Sequence, residues 1–91
     1  MSEGLHHIAI LCSDKARALR FYRDALGFET VREVARPERD DEIVWLSGSG
    51  VVLELFIAPH RPPRVSDPEA YGLRHLALRV RDIEATVAHL A

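Results

Sequence analysis

The chain is 91 residues long. That is the size of one small domain, which buries about 60 to 65% of its unfolded surface, so a large core is excluded. Hydrophobic residues make up 47% and charged residues 29%, a globular composition that excludes disorder and low complexity. Twelve Lys and Arg against fourteen Asp and Glu leave a net charge of -2. This weakly acidic balance argues against nucleic acid or an anionic membrane as partner, since both need a basic footprint. No apolar run approaches the roughly 18 residues of a membrane helix. The start, Met1 to His7, lacks the positive charge and apolar centre of a secretory signal, so a cytoplasmic location is expected. Cys12 is the only cysteine, which excludes an internal disulfide and a cysteine-based zinc site. Beside Ile10 and Leu11 it reads as a buried, inert thiol.

Leu5 to Leu11 is short, alternating and bounded by Gly4 and Ser13-Asp14, and reads as a strand. Ser13 or Asp14 can cap an amphipathic helix of about three turns, its apolar positions Ala18, Leu19, Tyr22, Ala25 and Leu26, with Gly27 as the stop. A second strand is expected over Phe28 to Val34, with Phe28, Thr30, Arg32 and Val34 on one face, followed by a polar turn from Arg36 to Asp41. Ile43 to Leu46 and Val51 to Ala58 read as a hairpin around Ser47-Gly48-Ser49-Gly50. Pro59 to Tyr71 holds four prolines and reads as a connector. Leu73 to Val80 resumes a strand, and Asp82 caps a helix from Ile83 to Ala91 with Ile83, Val87 and Leu90 on one stripe.

The chain contains an internal repeat. Gly4 to Asp14 and Gly72 to Asp82 share the pattern G-L-x-H-[IL]-A-[IL]-x-x-x-D. Each copy is a strand with a central histidine followed by a capping aspartate. The organisation expected is one βαβββ module over residues 1–58, a connector over 59–71, and the strand and helix that begin a second module over 72–91. Strand alternation puts His7 with Leu5 and Ala9, His75 with Ala77, and Glu54 with Val52 and Phe56. A carboxylate within Val51 to Ile57 either faces water or must be paired, because desolvating it alone costs several kcal/mol. Two histidines at equivalent repeat positions and one mid-strand carboxylate supply the nitrogen and oxygen donors that suit a divalent first-row metal.

The doubled H-[IL]-A-[IL]-x-x-x-D segment, the helix end Phe21-Tyr22-x-x-x-Leu26-Gly27-Phe28, and Val52-Leu53-Glu54-Leu55 resemble the vicinal oxygen chelate superfamily. That superfamily includes glyoxalase I, methylmalonyl-CoA epimerase, extradiol dioxygenases and the fosfomycin and bleomycin resistance proteins; the small bacterial glyoxalase I-like proteins are the most similar branch. The resemblance implies an α+β fold of paired βαβββ modules forming a cup-shaped mixed sheet, with the second module incomplete here. It implies His7, Glu54 and His75 as metal ligands for a divalent ion (Ni, Zn, Co, Mn or Fe). The fourth family ligand, a Glu in a closing strand, has no counterpart before Ala91, as in a truncated form or one whose cup another chain completes.

The activity so implied is a glyoxalase-type lyase or isomerase, lactoylglutathione lyase-like. It would act on a small substrate with two adjacent oxygens through an enediolate, with the missing Glu as base and Glu54 its substitute. The rivals are a metal-free ligand-sequestering protein of the bleomycin resistance type and an iron ring-cleaving dioxygenase. A homodimer is expected from unpaired sheet edges. Among the other polar residues, His6, His60 and His89 read as surface groups, with His6 pointing away from the face of His7. Arg61 and Arg64 read as solvated loop charges or holders of an anionic tail, and Trp45 and Phe56 as core or cup-lining aromatics.

Overall fold

A computed structural model describes all residues from Met1 to Ala91. Its contacts group residues 1–61 and 62–91 into two units. In the first unit, strand β1 (Ile8–Cys12), helix α1 (Lys15–Leu19), a π-helical turn (Arg20–Ala25) and strands β2 (Glu29–Arg36), β3 (Asp41–Gly48) and β4 (Val51–Ile57) follow in chain order. The four strands form one mixed sheet in the order β1-β4-β3-β2. β4 pairs parallel with β1 and antiparallel with β3, so Glu54 lies on an inner strand.

One face of this sheet is the core. Val44, Leu46, Leu53 and Leu55 are fully buried, and Ala18, Leu19 and Phe28 complete the cluster from the helix and the chain that follows it. Ile8, Ile10, Cys12, Tyr22 and Leu26 pack at its edge. The expected alternation on β4 therefore holds: Leu53, Leu55 and Ile57 are buried and Glu54 takes the other face with Val52 and Phe56. Burial also pushes the Cys12 thiol up, which keeps it protonated and unreactive.

The expected three-turn helix is α-helical only to Leu19; the next turn is wider, with the Leu26 N–H returning to the Phe21 carbonyl at 3.0 Å. Asp14 caps the start, its side chain accepting from the Arg17 N–H at 3.0 Å. In β2 the reading needs a correction. A bulge between Thr30 and Arg32 makes Val31 an extra residue, so Thr30 pairs with core-facing Leu46 while Arg32 pairs with Trp45 on the opposite face. The bulge reverses the alternation, and Phe28 and Arg32 do not share a face.

The hairpin turn is also tighter than expected. Ser49 and Gly50, at φ 54° and 76°, form a two-residue turn of the type that suits strand twist, and Ser47 and Gly48 belong to β3. Gly48 is required for a different reason: a Cβ there would meet ring carbons of Phe28 at 2.9 Å.

β2 and β3 are closed at their other end by a two-pronged ion pair. Arg36 Nε and Nη2 donate to Asp41 Oδ1 and Oδ2 at 2.8 and 2.7 Å. Arg36 holds the Asp41 carboxyl below its ordinary value. Because the folded value is the lower one, this contribution to stability is present above the unfolded value near pH 4 and is lost as pH falls through the folded one. Asp41→Asn should therefore flatten the acid limb of the stability curve between about pH 5 and pH 2. Urea denaturation across that range checks it, and equal pH dependence in both proteins would overturn it.

The second unit contains helix α2 (Ile83–Leu90), capped by Asp82, whose side chain accepts from the Ala85 N–H at 3.1 Å. The repeat is visible in the backbone: Asp14 sits at φ -136°, ψ 110° and Asp82 at φ -139°, ψ 106°. The expected strand over Leu73 to Val80 does not form. A strand exists only as part of a ladder, and no segment of these 91 residues pairs with it. No helix is long and apolar enough to cross a membrane.

Candidate metal centre

The face of the sheet opposite the core carries one transverse row of side chains. The register sets Ala9 beside Glu54, Glu54 beside Trp45 and Trp45 beside Arg32, running from β1 across β4 and β3 to β2. Glu54 is the centre of that row and its side chain is only 18% exposed. One carboxylate oxygen is hydrogen-bonded and the other faces an imidazole. The Trp45 indole N–H donates to Oε2 at 2.8 Å, and His7 Nε2 lies 3.9 Å from Oε1. The Arg32 guanidinium stacks 5.4 Å from the Trp45 ring and that of Arg36 lies 5.3 Å from Phe56.

His7 sits one residue ahead of β1, whose ladder begins at Ile8 rather than at Leu5. Its ring nevertheless reaches Glu54, because Ala9, on the same side of β1, is the register partner of Glu54 across the parallel pair. His6 departs from expectation. Instead of pointing away it touches His7, with the two Nδ1 atoms 2.8 Å apart and the rings edge-on at 5.0 Å. Residues 6 and 7 precede the ladder, so strand alternation does not govern them.

His7 and Glu54 are thus brought together, and no group of three His, Cys, Asp or Glu side chains is placed to hold a metal ion. His75 lies in the second unit, at the repeat position equivalent to His7. Two donors each about 2.1 Å from one metal ion can stand at most about 4.2 Å apart. The 3.9 Å between His7 Nε2 and Glu54 Oε1 lies within that span and is about 0.5 Å wider than a tetrahedral pair of donors, so the two would close slightly on a shared ion. Arg61 donates to the Pro59 carbonyl at 3.0 Å and to the Arg39 carbonyl at 3.5 Å, so its guanidinium binds backbone.

Trp45 is the site residue whose role sequence reasoning missed. The signal was the turn: a two-residue Ser49-Gly50 turn sets Gly48 against Val51 and therefore Trp45 against Glu54, whereas a four-residue turn would set Ile43 there. Trp45→Phe removes the donor and leaves Glu54 Oε2 without its partner. The variant should lose about 1–3 kcal/mol of stability, measured by urea denaturation; an unchanged midpoint would count against the bond.

The family model described as "Glyoxalase/Bleomycin resistance protein/Dioxygenase superfamily" matches residues 4–91. The chain belongs to this superfamily. It is 52% identical over 87 residues to the uncharacterised protein YaeR of Escherichia coli (strain K12), covering 94% of this chain and 67% of that one. A crystal structure of a glyoxalase family protein from Enterococcus faecalis superposes with a TM-score of 0.88 at 44% identity, over 97% of this chain and 70% of the other. The trypanothione-dependent glyoxalase I of Leishmania major gives 0.75 at 33% identity, over 98% of this chain and 65% of that enzyme. The superfamily member described here is accordingly a mixed-sheet α+β module with the βαβββ order in its first 58 residues.

Proposed function

We propose that this superfamily member is the metal-binding part of a glyoxalase-type lyase or isomerase. It acts on a small substrate with two adjacent oxygens, and His7, Glu54 and His75 are its ligands for a divalent ion. The observation that carries this reading is the His7–Glu54 pair, a 3.9 Å donor pair on the face opposite the core. The likeness to a glyoxalase I at 33% identity supports the reaction class.

A bound divalent ion would supply Lewis acidity to the two substrate oxygens. The rest is the work of the chain. Glu54, as the substitute base, takes the proton from the carbon beside the carbonyl and returns it to the former carbonyl carbon while the hydroxyl proton passes to the other oxygen, so the net change is an isomerisation. Trp45 holds Oε2 at 2.8 Å, which leaves Oε1 as the oxygen directed to the site. The inner-strand position of β4 fixes Glu54 through two ladders, which limits its movement. A small molecule is the expected partner, and the two unpaired edges at β1 and β2 support a homodimer as the proposed assembly.

The test is elemental analysis of protein purified without chelator or immobilised-metal resin. It is followed by an assay of lactoylglutathione formation from the hemithioacetal of glutathione and methylglyoxal, and of proton exchange with deuterated water. Stoichiometric metal and product formation are expected. Protein that takes up none of nickel, manganese, zinc or iron would overturn the reading in favour of a metal-free binding cup. Oxygen consumption with a catechol would point to ring cleavage.

A further inference from the structure

We propose that His6 is a positioning residue for His7: it accepts the hydrogen bond that leaves His7 Nε2 free to bind the metal. The proposal rests on the metal-site reading above and adds a residue to it. Two imidazole Nδ1 atoms 2.8 Å apart cannot both carry a hydrogen, nor can both be bare, so one donates and the other accepts. The near-perpendicular rings, at 79°, aim the edge of one at the nitrogen of the other.

Two arrangements are available to a pair of neutral rings. If His6 donates, the hydrogen of His7 sits on Nε2, the atom turned to Glu54. At 3.9 Å that N–H would be too far from Oε1 for a hydrogen bond, and the nitrogen could not ligate a metal. If His7 donates, its Nε2 keeps the lone pair on the side of Glu54, and His6, which is exposed, turns its own Nε2–H to water. The second arrangement gives the tautomer a ligand needs, with the Nε2 lone pair and the Glu54 carboxylate both turned to the place a cation would occupy. Metal-binding histidines regularly donate their other ring N–H to a fixed acceptor; here the acceptor is the preceding residue.

The repeat sharpens the proposal. At the place of His6 the second copy has Arg74, which has no acceptor atom and is instead paired with Glu69 at 2.7 Å. The acceptor is therefore built into the first copy alone, and the two histidines of the repeat are not held in the same way.

The experiment uses the 91-residue chain and its His6→Ala, His6→Asn, His7→Ala and Arg74→Ala variants. In metal-free protein at roughly pH 8.5, above the ordinary histidine range, two-bond proton–nitrogen spectra report which ring nitrogen carries the hydrogen. The hydrogen of His7 is expected on Nδ1 in the unaltered chain and Arg74→Ala, and to move toward Nε2 in His6→Ala. Zinc affinity by chelator competition should fall about 10–100-fold in His6→Ala and recover in His6→Asn, whose side-chain oxygen can accept. A His7 hydrogen on Nε2 in the unaltered chain, or one unmoved by His6→Ala, would overturn the proposal. Zinc binding that survives His7→Ala would overturn the metal-site reading instead, and the spectra would still decide the role of His6.

Discussion

Glu54→Gln is expected to lose metal binding while keeping the fold. The amide oxygen of glutamine can still accept from the Trp45 indole N–H, which meets Glu54 Oε2 at 2.8 Å, and the side chain keeps its length. What disappears is the negative charge and the second oxygen donor opposite His7 Nε2. Loss of a partner one step removed from a metal costs about 10–100-fold in affinity, and loss of a ligand should exceed that, at roughly 100-fold or more. Glu54→Ala should lose binding equally and some stability besides, since the Trp45 donor is then left unpaired. Metal content by elemental analysis and thermal denaturation read the two effects separately. Unchanged metal content in Glu54→Gln would remove Glu54 from the site; an equal drop in stability in both variants would mean that its role is structural.

Leu55→Ala is expected to have the largest effect on stability. Leu55 is fully buried at the middle of the inner strand β4, between Ile10 of β1 and Val44 of β3 in the register. Truncating a buried leucine costs about 2–5 kcal/mol through lost transfer energy and the cavity left behind. A small domain has only about 5–15 kcal/mol in total, so its melting temperature should fall by roughly 10 to 30 °C. The cost reaches the site too, because Leu55 and Glu54 are neighbours on one strand and the ladder that buries the first also aims the second. Leu11→Ala, at a position 54% exposed on the other face of β1, should change stability by about 0.5 kcal/mol or less. Similar melting temperatures for the two variants would contradict the assignment of the core face.

The local features of this fold were legible in the residues because each depends on a few neighbours. The alternation in Val51 to Ile57 separated Leu53, Leu55 and Ile57 from Glu54 before any partner strand was known. The caps at Asp14 and Asp82, and the repeat that joins them, are written in short segments whose backbone conformations agree to within a few degrees. His7 and Glu54 could be named as candidates for the same reason, since each is a polar group at a defined place in an apolar strand pattern.

Register and pairing were decided elsewhere. That β1 inserts beside β4 rather than beside β2 brings His7 to Glu54, and nothing local to either residue specifies it. The Val31 bulge moves Arg32 to the face of Trp45, and the two-residue turn at Ser49-Gly50 places Trp45 opposite Glu54. His6 meets His7 because the ladder starts at Ile8, three residues later than the alternation suggested. Leu73 to Val80 shows the same division: its pattern is that of a strand, yet a strand is a relation between two segments. Periodicity, capping and turn composition are properties of a few consecutive residues and can be read from them. Which strand lies beside which depends on the free energy of burying the whole face at once, and only the assembled sheet decides it.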